Sequence, residues 1–251
     1  MNVGSIALAA VAGVFGGAMN ALAGGGTFAT LPALIALGLP ANAANATSNV
    51  SVLPGAAVSA WGFRDELGPL GGVDVRVLAA ITFVGGLAGS LLLVSTPTHI
   101  FDLLIPWLLL TAALVIAFGP RAASALHKVV TIGPRALVVG QALLGIYGGY
   151  FGGGVGMMLT ATYGLLANIT PRALFAPRTL MLTVANGAAA IVFVSTGLVR
   201  WDAGVPMLIG AILGGWIGAK LGKRLLPGVV RGGTLAVTCV VTIVFFVRAY
   251  G

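Results

Sequence analysis

Three consecutive glycines lie inside an apolar stretch at Gly24-Gly25-Gly26, and the same run recurs at Gly152-Gly153-Gly154. Glycine lowers helix propensity and adopts backbone angles that other residues avoid, so each run predicts a helix break with unpaired main-chain amides. In a lipid bilayer such a break is tolerated only where it is buried in protein or lines a cavity. The duplicated break is therefore the first candidate for a working site.

Composition places this break in a membrane. Hydrophobic residues make up 59% of the 251 residues, charged residues make up 7%, and the mean hydropathy is +1.09. A soluble protein of this length needs more charge to cover its surface. The 39 glycines fit the same class, because small residues let membrane helices pack closely. The sequence therefore predicts an all-α polytopic membrane protein with the lipid bilayer around it.

The charged residues, histidines and cysteine argue against several function classes. The net charge of +8 comes from basic residues scattered over loops and helix ends, so we expect no nucleic-acid partner. Cys239 is the single cysteine, and His99 and His127 are far apart in sequence, so no metal site and no cofactor are expected. The five carboxylates form no catalytic pair. We therefore expect that the protein is not an enzyme.

The apolar segments suggest an internal duplication. Most approach the roughly 20 residues of a spanning helix, but segments 27–39 and 155–167 are too short, and each follows a triple glycine. Each half of the chain is therefore predicted to begin with a helix, a glycine break and a half-helix. Chance similarity between two glycine-rich halves is the alternative, although the order and near-constant spacing of the matches argue against it. Such repeats are typical of secondary transporters.

The Lys and Arg residues predict how the halves are oriented. If each broken element is a hairpin that returns to its own side, eleven of the 13 basic residues fall on one face, leaving Arg200 and Arg248 opposite. If each is a single crossing, the residues split six against seven, which violates the positive-inside tendency. We therefore predict two inverted repeats, 1–118 and 136–251, each a Gly-broken helical hairpin followed by three transmembrane helices. A cytoplasmic linker, 119–135, would join them.

The polar groups near the breaks favour an anion as the substrate. Thr27 and Val155 begin half-helices, so unpaired amides and positive helix ends face each break. No carboxylate is visible in the middle of a span, which argues against coupling through a buried acid. The candidate substrate-binding residues are Gly24, Gly25, Gly26, Thr27, Asn45, Thr47, Ser48, Gly152, Gly153, Gly154, Val155, Arg178 and Thr179.

Several of these residues also have a structural explanation that the sequence leaves open. Thr and Ser near a helix start often serve as caps. Arg178 either binds substrate or anchors a helix at the membrane interface. Asn20, Gln141 and Asn186 either belong to a site or join helices by hydrogen bonds. An anion channel and a non-transporting membrane assembly factor are the alternatives to a transporter, and a homodimer is left open.

The glycine motifs resemble those of a known family. Residues 23–34 (AGGGTFATLPAL) and 43–48 (AANATS) are similar to the TauE/SafE sulfite exporter family, and residues 148–156 (GGYFGGGVG) repeat the pattern. The resemblance covers nearly the whole chain and implies a multi-pass transporter of the bacterial-type inner (plasma) membrane. It implies export of sulfite or a small organosulfur anion such as sulfoacetate. Our leading hypothesis is a secondary-type transporter that binds this anion between the two glycine breaks, near the midplane.

Overall fold

The computed structural model describes residues 2–126, 133–167, 174–222 and 225–251. Within these residues the chain forms ten α-helices and one short 3-10 turn, Arg64–Glu66. The helices are α1 (Val3–Ala23), α2 (Thr27–Ala36), α3 (Ala41–Gly62), α4 (Val75–Ser95), α5 (Thr98–Leu126), α6 (Pro134–Tyr150), α7 (Val155–Ala167), α8 (Phe175–Ser195), α9 (Trp201–Gly222) and α10 (Pro227–Tyr250).

Six of the described helices, α1, α4, α5, α8, α9 and α10, are long and apolar enough to cross a membrane. A helix rises about 1.5 Å per residue, so about 20 residues match the hydrocarbon core of a bilayer. Their outer faces expose large apolar side chains, including Val84, Leu213 and Val240. Such a surface is stable against lipid and unstable against water. The prediction of an all-α, multi-pass membrane protein is confirmed.

Helices α3 and α8 run antiparallel through the centre of the protein. Asn49 of α3 bonds to Asn186 of α8, and Phe63 at the end of α3 packs edge-on against Phe175 at the start of α8. Helix α3 is as long as a span, with 22 residues, but it is rich in Asn, Ser and Thr. The polar side chains from Asn45 to Ser51 are buried. This polar part of helix α3 is tolerated because it is surrounded by protein and not by lipid.

Glycines join the outer helices to each other by close main-chain contact. Gly17 of α1 lies directly against the main chain of Ala211 in α9, and Gly149 of α6 lies against Gly86 in α4. Along each of these two helix pairs, the numbers of the contacting residues rise in the same direction, so α1 is parallel to α9 and α6 is parallel to α4. The first helix of each half therefore packs on the fourth helix of the other half. Most of these glycines serve close packing, as small residues do between membrane helices.

Each triple glycine reverses the chain and closes a helical hairpin. In the first hairpin, Thr30 of α2 lies against Gly16 of α1. In the second, the Tyr163 hydroxyl of α7 donates to Gln141 Oε1 of α6 over 2.7 Å. The half-helices predicted after the glycines are present. Helix α2 begins at Thr27 but ends at Ala36, three residues before the predicted end of that segment.

Helices α5 and α10 form an antiparallel pair at one side of the molecule. Asp102 and Arg248 form an ion pair of 3.4 Å at one end. Toward the other end, Arg231 Nε donates to the carbonyl of Ile116 over 2.9 Å. Proline at position 120 has no N–H for that carbonyl, four residues earlier, so Arg231 replaces the missing helix bond.

Helix α5 continues to Leu126, into the segment 119–135 that we predicted as a linker. The first eight residues of that segment, 119–126, are helical. Residues 127–132, which include His127, lie outside the described residues. The second half resumes with α6 at Pro134.

Candidate functional site

The first break leaves three successive amides without an acceptor. Helix α1 ends at Ala23 and is capped by Gly24, which adopts a left-handed φ of +71° and donates its N–H to the carbonyl of Asn20 over 2.8 Å. Helix α2 then begins at Thr27. Within the described residues, no hydrogen bond is formed by the N–H groups of Gly25, Gly26 and Thr27. These amides lie at the N-terminal end of α2, where the helix dipole is positive.

The second break has the same pattern at the equivalent positions. Gly152 and Gly154 have left-handed φ values of +75° and +74°. The Gly152 N–H bonds to the carbonyl of Tyr147 over 3.3 Å. Among the described residues, the N–H groups of Gly153, Gly154 and Val155 have no acceptor. The positive end of α7 therefore faces this break as that of α2 faces the first.

The two breaks are in direct contact. The N–H of Gly156, the second residue of α7, donates to the carbonyl of Gly24 over 3.2 Å. A Cβ atom placed on Gly24 would lie 2.5 Å from the Cα of Gly156, so neither position has room for a side chain. The ring of Phe28 extends from the first hairpin to within 2.7 Å of a Cβ placed on Gly154. The structure thus brings both glycine runs together.

Buried amide side chains surround the second break. Asn45 Nδ2 donates to the carbonyl of Tyr150 over 3.1 Å, and Asn49 Nδ2 donates to Asn186 Oδ1 over 3.2 Å. Within the described residues, the Oδ1 atoms of Asn45 and Asn49 are buried without a partner. The Ser48 hydroxyl is hydrogen-bonded to that of Thr30 in α2. Asn45 and Ser48 are therefore next to the hairpins, as the sequence hypothesis requires.

Thr47 and Thr179 have structural partners in this conformation. The Thr47 hydroxyl donates to the carbonyl of Ala43 over 2.7 Å and accepts the N–H of Arg200 over 2.9 Å, which ties α3 to the start of α9. The Thr179 hydroxyl lies 2.9 Å from the carbonyl of Phe175 within α8. Both hydroxyl protons are engaged by main chain. A substrate contact from either residue would require these bonds to break.

Arg178 is buried, and its side chain turns toward the start of α8. Its guanidinium stacks over the ring of Phe175, the first residue of α8, with Cζ 4.6 Å from the ring centre. Asn186, which adjoins the second break, lies eight residues further along the helix, or about 12 Å. Leu182, four residues or about 6 Å further along the helix, lies 3.4 Å from a Cβ placed on Gly24, so the start of α8 is closer to the first break than to the second.

Sequence reasoning missed two residues that shape the site. Phe28 is buried and its ring covers both Gly25 and Gly154. Gly156 supplies the bond between the hairpins. Both lie in the motifs that carry the family resemblance. Their roles depend on which residue of the other hairpin they meet, and a single motif does not contain that information.

Comparisons with known proteins identify the family of the chain. The sequence profile of the family described as Sulfite exporter TauE/SafE matches residues 9–245. The chain belongs to this family. No solved structure matches the chain significantly.

Curated relatives of this TauE/SafE member come from several bacteria. A probable membrane transporter protein of Haemophilus influenzae is 30% identical over 214 residues, which cover 83% of either chain. The probable membrane transporter protein YfcA of Escherichia coli K12 is 29% identical and covers 82% of this chain and 76% of its own. The probable membrane transporter protein ORF9 of a Sinorhizobium species is 26% identical, with 84% and 80% covered.

Proposed function

We propose that this chain is a secondary-type membrane transporter that exports sulfite or a small organosulfur anion. The observation that carries the proposal is the contact between the two breaks, which together offer six amides without acceptors at two positive helix ends. Helix N-termini bind anions through such N–H groups and the helix dipole. The family description and the names of the relatives support transport, and the family description alone supports sulfite as the class of substrate.

In this proposal the anion binds between the breaks, with its oxygens on the amides of Gly25, Gly26 and Thr27 and of Gly153, Gly154 and Val155. Both runs are buried in protein, so the donors are shielded from bulk water and each contact is strengthened. Asn45 and Ser48 adjoin the hairpins and contribute to selectivity. Gly24 and Gly152 close the turns that hold the amides in place.

Inverted repeats would supply the alternating access that a secondary transporter needs. The antiparallel courses of α3 with α8 and of α5 with α10 support inversion, because these helices occupy equivalent places in the two halves. The first helix of each half packs on the fourth helix of the other half, α1 on α9 and α6 on α4. This reciprocal packing supports two repeats with boundaries near 1–118 and 136–251. Rocking of one repeat against the other would expose the breaks to each face in turn.

Export fits the proposed location in a bacterial-type inner membrane. A membrane potential that is negative inside drives an anion outward with about 2.3 kcal/mol per charge per 100 mV. No carboxylate is found in the middle of the described spans, and an anion that leaves down this gradient requires no coupling acid.

Flux from proteoliposomes tests the proposal. Vesicles loaded with sulfite should lose it faster when they contain the protein, and an inside-negative potential set with potassium and valinomycin should accelerate the loss. Saturation and counterflow indicate a carrier, whereas large unitary currents in planar bilayers would indicate a channel. Equal flux with and without protein would refute the proposal.

A matched pair of glycine variants links this flux to the breaks. Gly153→Ala places a methyl group 2.5 Å from the Phe151 ring and obstructs the second break, so sulfite flux should fall at least about tenfold. Gly232→Ala changes an exposed glycine of α10 with nothing within 4 Å, so flux should stay at the wild-type level. Equal flux from both variants would show that transport does not depend on the glycine breaks.

Cysteine labelling tests the inversion independently of substrate. In a background that carries Cys239→Ser, single cysteines replace Arg76 at the start of α4 and Arg200 just before α9. Inverted repeats predict that an impermeant maleimide labels these two positions from opposite faces. Labelling of both positions from one face would contradict the inverted arrangement, even if flux is observed.

A further inference from the structure

The Arg178 side chain is a buried cation without a counter-charge. It is 7% exposed, and its Nε and Nη2 atoms are both buried without a hydrogen-bond partner among the described residues. No described carboxylate lies within ion-pair distance of it. Burial of an unpaired charge is strongly unfavourable, so such a group is normally paired or binds a ligand.

The two unpartnered atoms define a specific binding geometry. Nε and Nη2 form one edge of the guanidinium plane, and their N–H bonds are parallel. This edge matches two oxygens of a sulfonate, sulfite, carboxylate or phosphate group in a bidentate contact. The ring of Phe175 stacks on the guanidinium face and holds the plane, so the edge remains free for a ligand.

The Arg178 side chain lies at the start of α8, about one helical turn before Leu182, which adjoins Gly24 of the first break. The guanidinium turns back toward the first residue of α8, which packs against Phe63 at the end of α3. Helix α8 begins without a side-chain cap, so its N-terminal dipole adds to the positive field around the guanidinium. A simple interface anchor would extend its charge into water, and the 7% exposure of Arg178 does not fit that role.

We propose that Arg178 forms a second anion site, beside the first break, that receives the transported anion where α3 ends and α8 begins. Its ligand is a head group with two adjacent oxygens. The identity of that ligand as the transported anion rests on the proposed function. In the predicted topology, this end of α8 lies on the cytoplasmic face, which carries eleven of the 13 basic residues. Arg178 would then bind the anion before the breaks do.

Binding to lipid-free protein in detergent provides the first test. Sulfite and ethanesulfonate are titrated calorimetrically into wild type, Arg178→Gln, Arg178→Lys and the control Arg76→Gln, which removes an exposed charge. Arg178→Gln should weaken binding about tenfold or more, because it removes charge-assisted hydrogen bonds. Arg178→Lys keeps the positive charge but lacks the two parallel N–H groups of the guanidinium, so its affinity should lie between those of wild type and Arg178→Gln. Arg76→Gln should bind like wild type.

The kinetics of sulfite flux distinguish the Arg178 site from the proposed site between the breaks. In proteoliposomes, Arg178→Gln should raise the KM for internal sulfite about tenfold and change the maximal rate less, whereas Gly153→Ala should lower the maximal rate. An unchanged KM and unchanged binding in Arg178→Gln would overturn the second site while wild-type flux persists. Absence of wild-type flux, with binding that still depends on Arg178, would refute the proposed function and leave the anion site.

An acidic lipid is the other source of a suitable head group. The calorimetric titrations are therefore repeated after addition of phosphatidylglycerol. If phosphatidylglycerol binds in an Arg178-dependent way and neither sulfite nor ethanesulfonate does, the role in substrate capture is overturned. If sulfite binds without lipid and phosphatidylglycerol does not compete, the role is supported. Size-exclusion profiles identify any variant that does not fold.

Discussion

The two hairpins share a triple glycine but complete their breaks differently. In the first hairpin the second residue of the half-helix is Phe28, whose N–H bonds locally to the carbonyl of Gly25 over 3.2 Å. In the second hairpin the equivalent residue is Gly156, whose N–H crosses to the carbonyl of Gly24. The first hairpin supplies the ring of Phe28. The second hairpin supplies a glycine, Gly154, that leaves space for this ring, and the N–H of Gly156 that bonds to the first hairpin.

This difference shows that the breaks form a complementary pair and not two copies of one device. The ring of Phe28 lies over Gly25 and over Gly154, so it contacts both hairpins. The ring of Phe151 lies over Gly153, in its own hairpin. The three free amides of each break are alike, whereas the contacts that hold the breaks together come from residues that differ between the halves.

The largest effect is expected at the turn that both hairpins share. Gly24→Ala puts a side chain at φ +71° and at 2.5 Å from the Cα of Gly156, so it combines backbone strain with a main-chain clash. Together these should lower the free energy of unfolding by about 2–4 kcal/mol. Gly38→Ala is the matched control, because Gly38 has φ +86° and nothing within 4 Å. Unfolding in mixed micelles measures both, and equal losses would refute the clash.

Replacement of Gly156 should separate the hairpins without left-handed strain. A Cβ at this position would lie 2.6 Å from the Cα of Gly24 and 2.9 Å from the carbonyl of Ala23. Gly156→Ala should therefore cost about 1–3 kcal/mol of stability and weaken the bond between the hairpins. Sulfite flux measures the consequence for function, with Gly232→Ala as the neutral control. Wild-type flux in Gly156→Ala would show that contact between the breaks is unnecessary.

The two rings provide a direct comparison between the halves. Phe28→Leu and Phe151→Leu remove similar volumes and should each destabilise the protein by about 1–2 kcal/mol. Because Phe28 contacts both hairpins, its variant should reduce flux more than the Phe151 variant does. Thermal unfolding and flux are measured side by side. A larger flux defect in Phe151→Leu would reverse our assignment of the ring that joins the hairpins.

The smallest effect is expected from the amide pair that joins α3 to α8. A double-mutant cycle of Asn49→Ala and Asn186→Ala should give a coupling free energy of about 0.6 kcal/mol, which is the average for hydrogen bonds between membrane helices. Unfolding free energies in micelles provide the four corners of the cycle. A coupling near zero would mean that the 3.2 Å contact adds nothing to stability.

Local signals in the sequence predicted the helix starts at the breaks well. Thr27 and Val155 were predicted as first residues and are the first residues of α2 and α7. Glycine runs act through the backbone itself, so their effect does not depend on the rest of the fold. Helix α3 starts at Ala41, and hydropathy alone does not mark its first turns because they are rich in polar residues that are buried in protein.

Tertiary contacts explain what the sequence left undetermined. Helix α5 continues past Gly119, and Arg231 of a distant helix bonds to the carbonyl that Pro120 leaves free. Gln141 proved to join helices, since its side chain bonds to Thr82 of α4 and Tyr163 of α7. Each outcome depends on a partner more than 20 residues away in sequence. Periodicity and propensity do not contain that information.

The acidic residues near Arg200 and Arg248 have a further consequence for the electric field. Arg248 pairs with Asp102, and Arg200 lies 3.5 Å from Asp202, so the predicted outer face carries no net charge. In the predicted topology, the remaining eleven basic and three acidic residues would put the whole formal charge of +8 on the opposite face. Such a field raises the local concentration of anions and speeds their encounter with the protein. The approach of sulfite from that face should therefore slow as ionic strength rises, within a screening length of about 10 Å at 0.1 M salt.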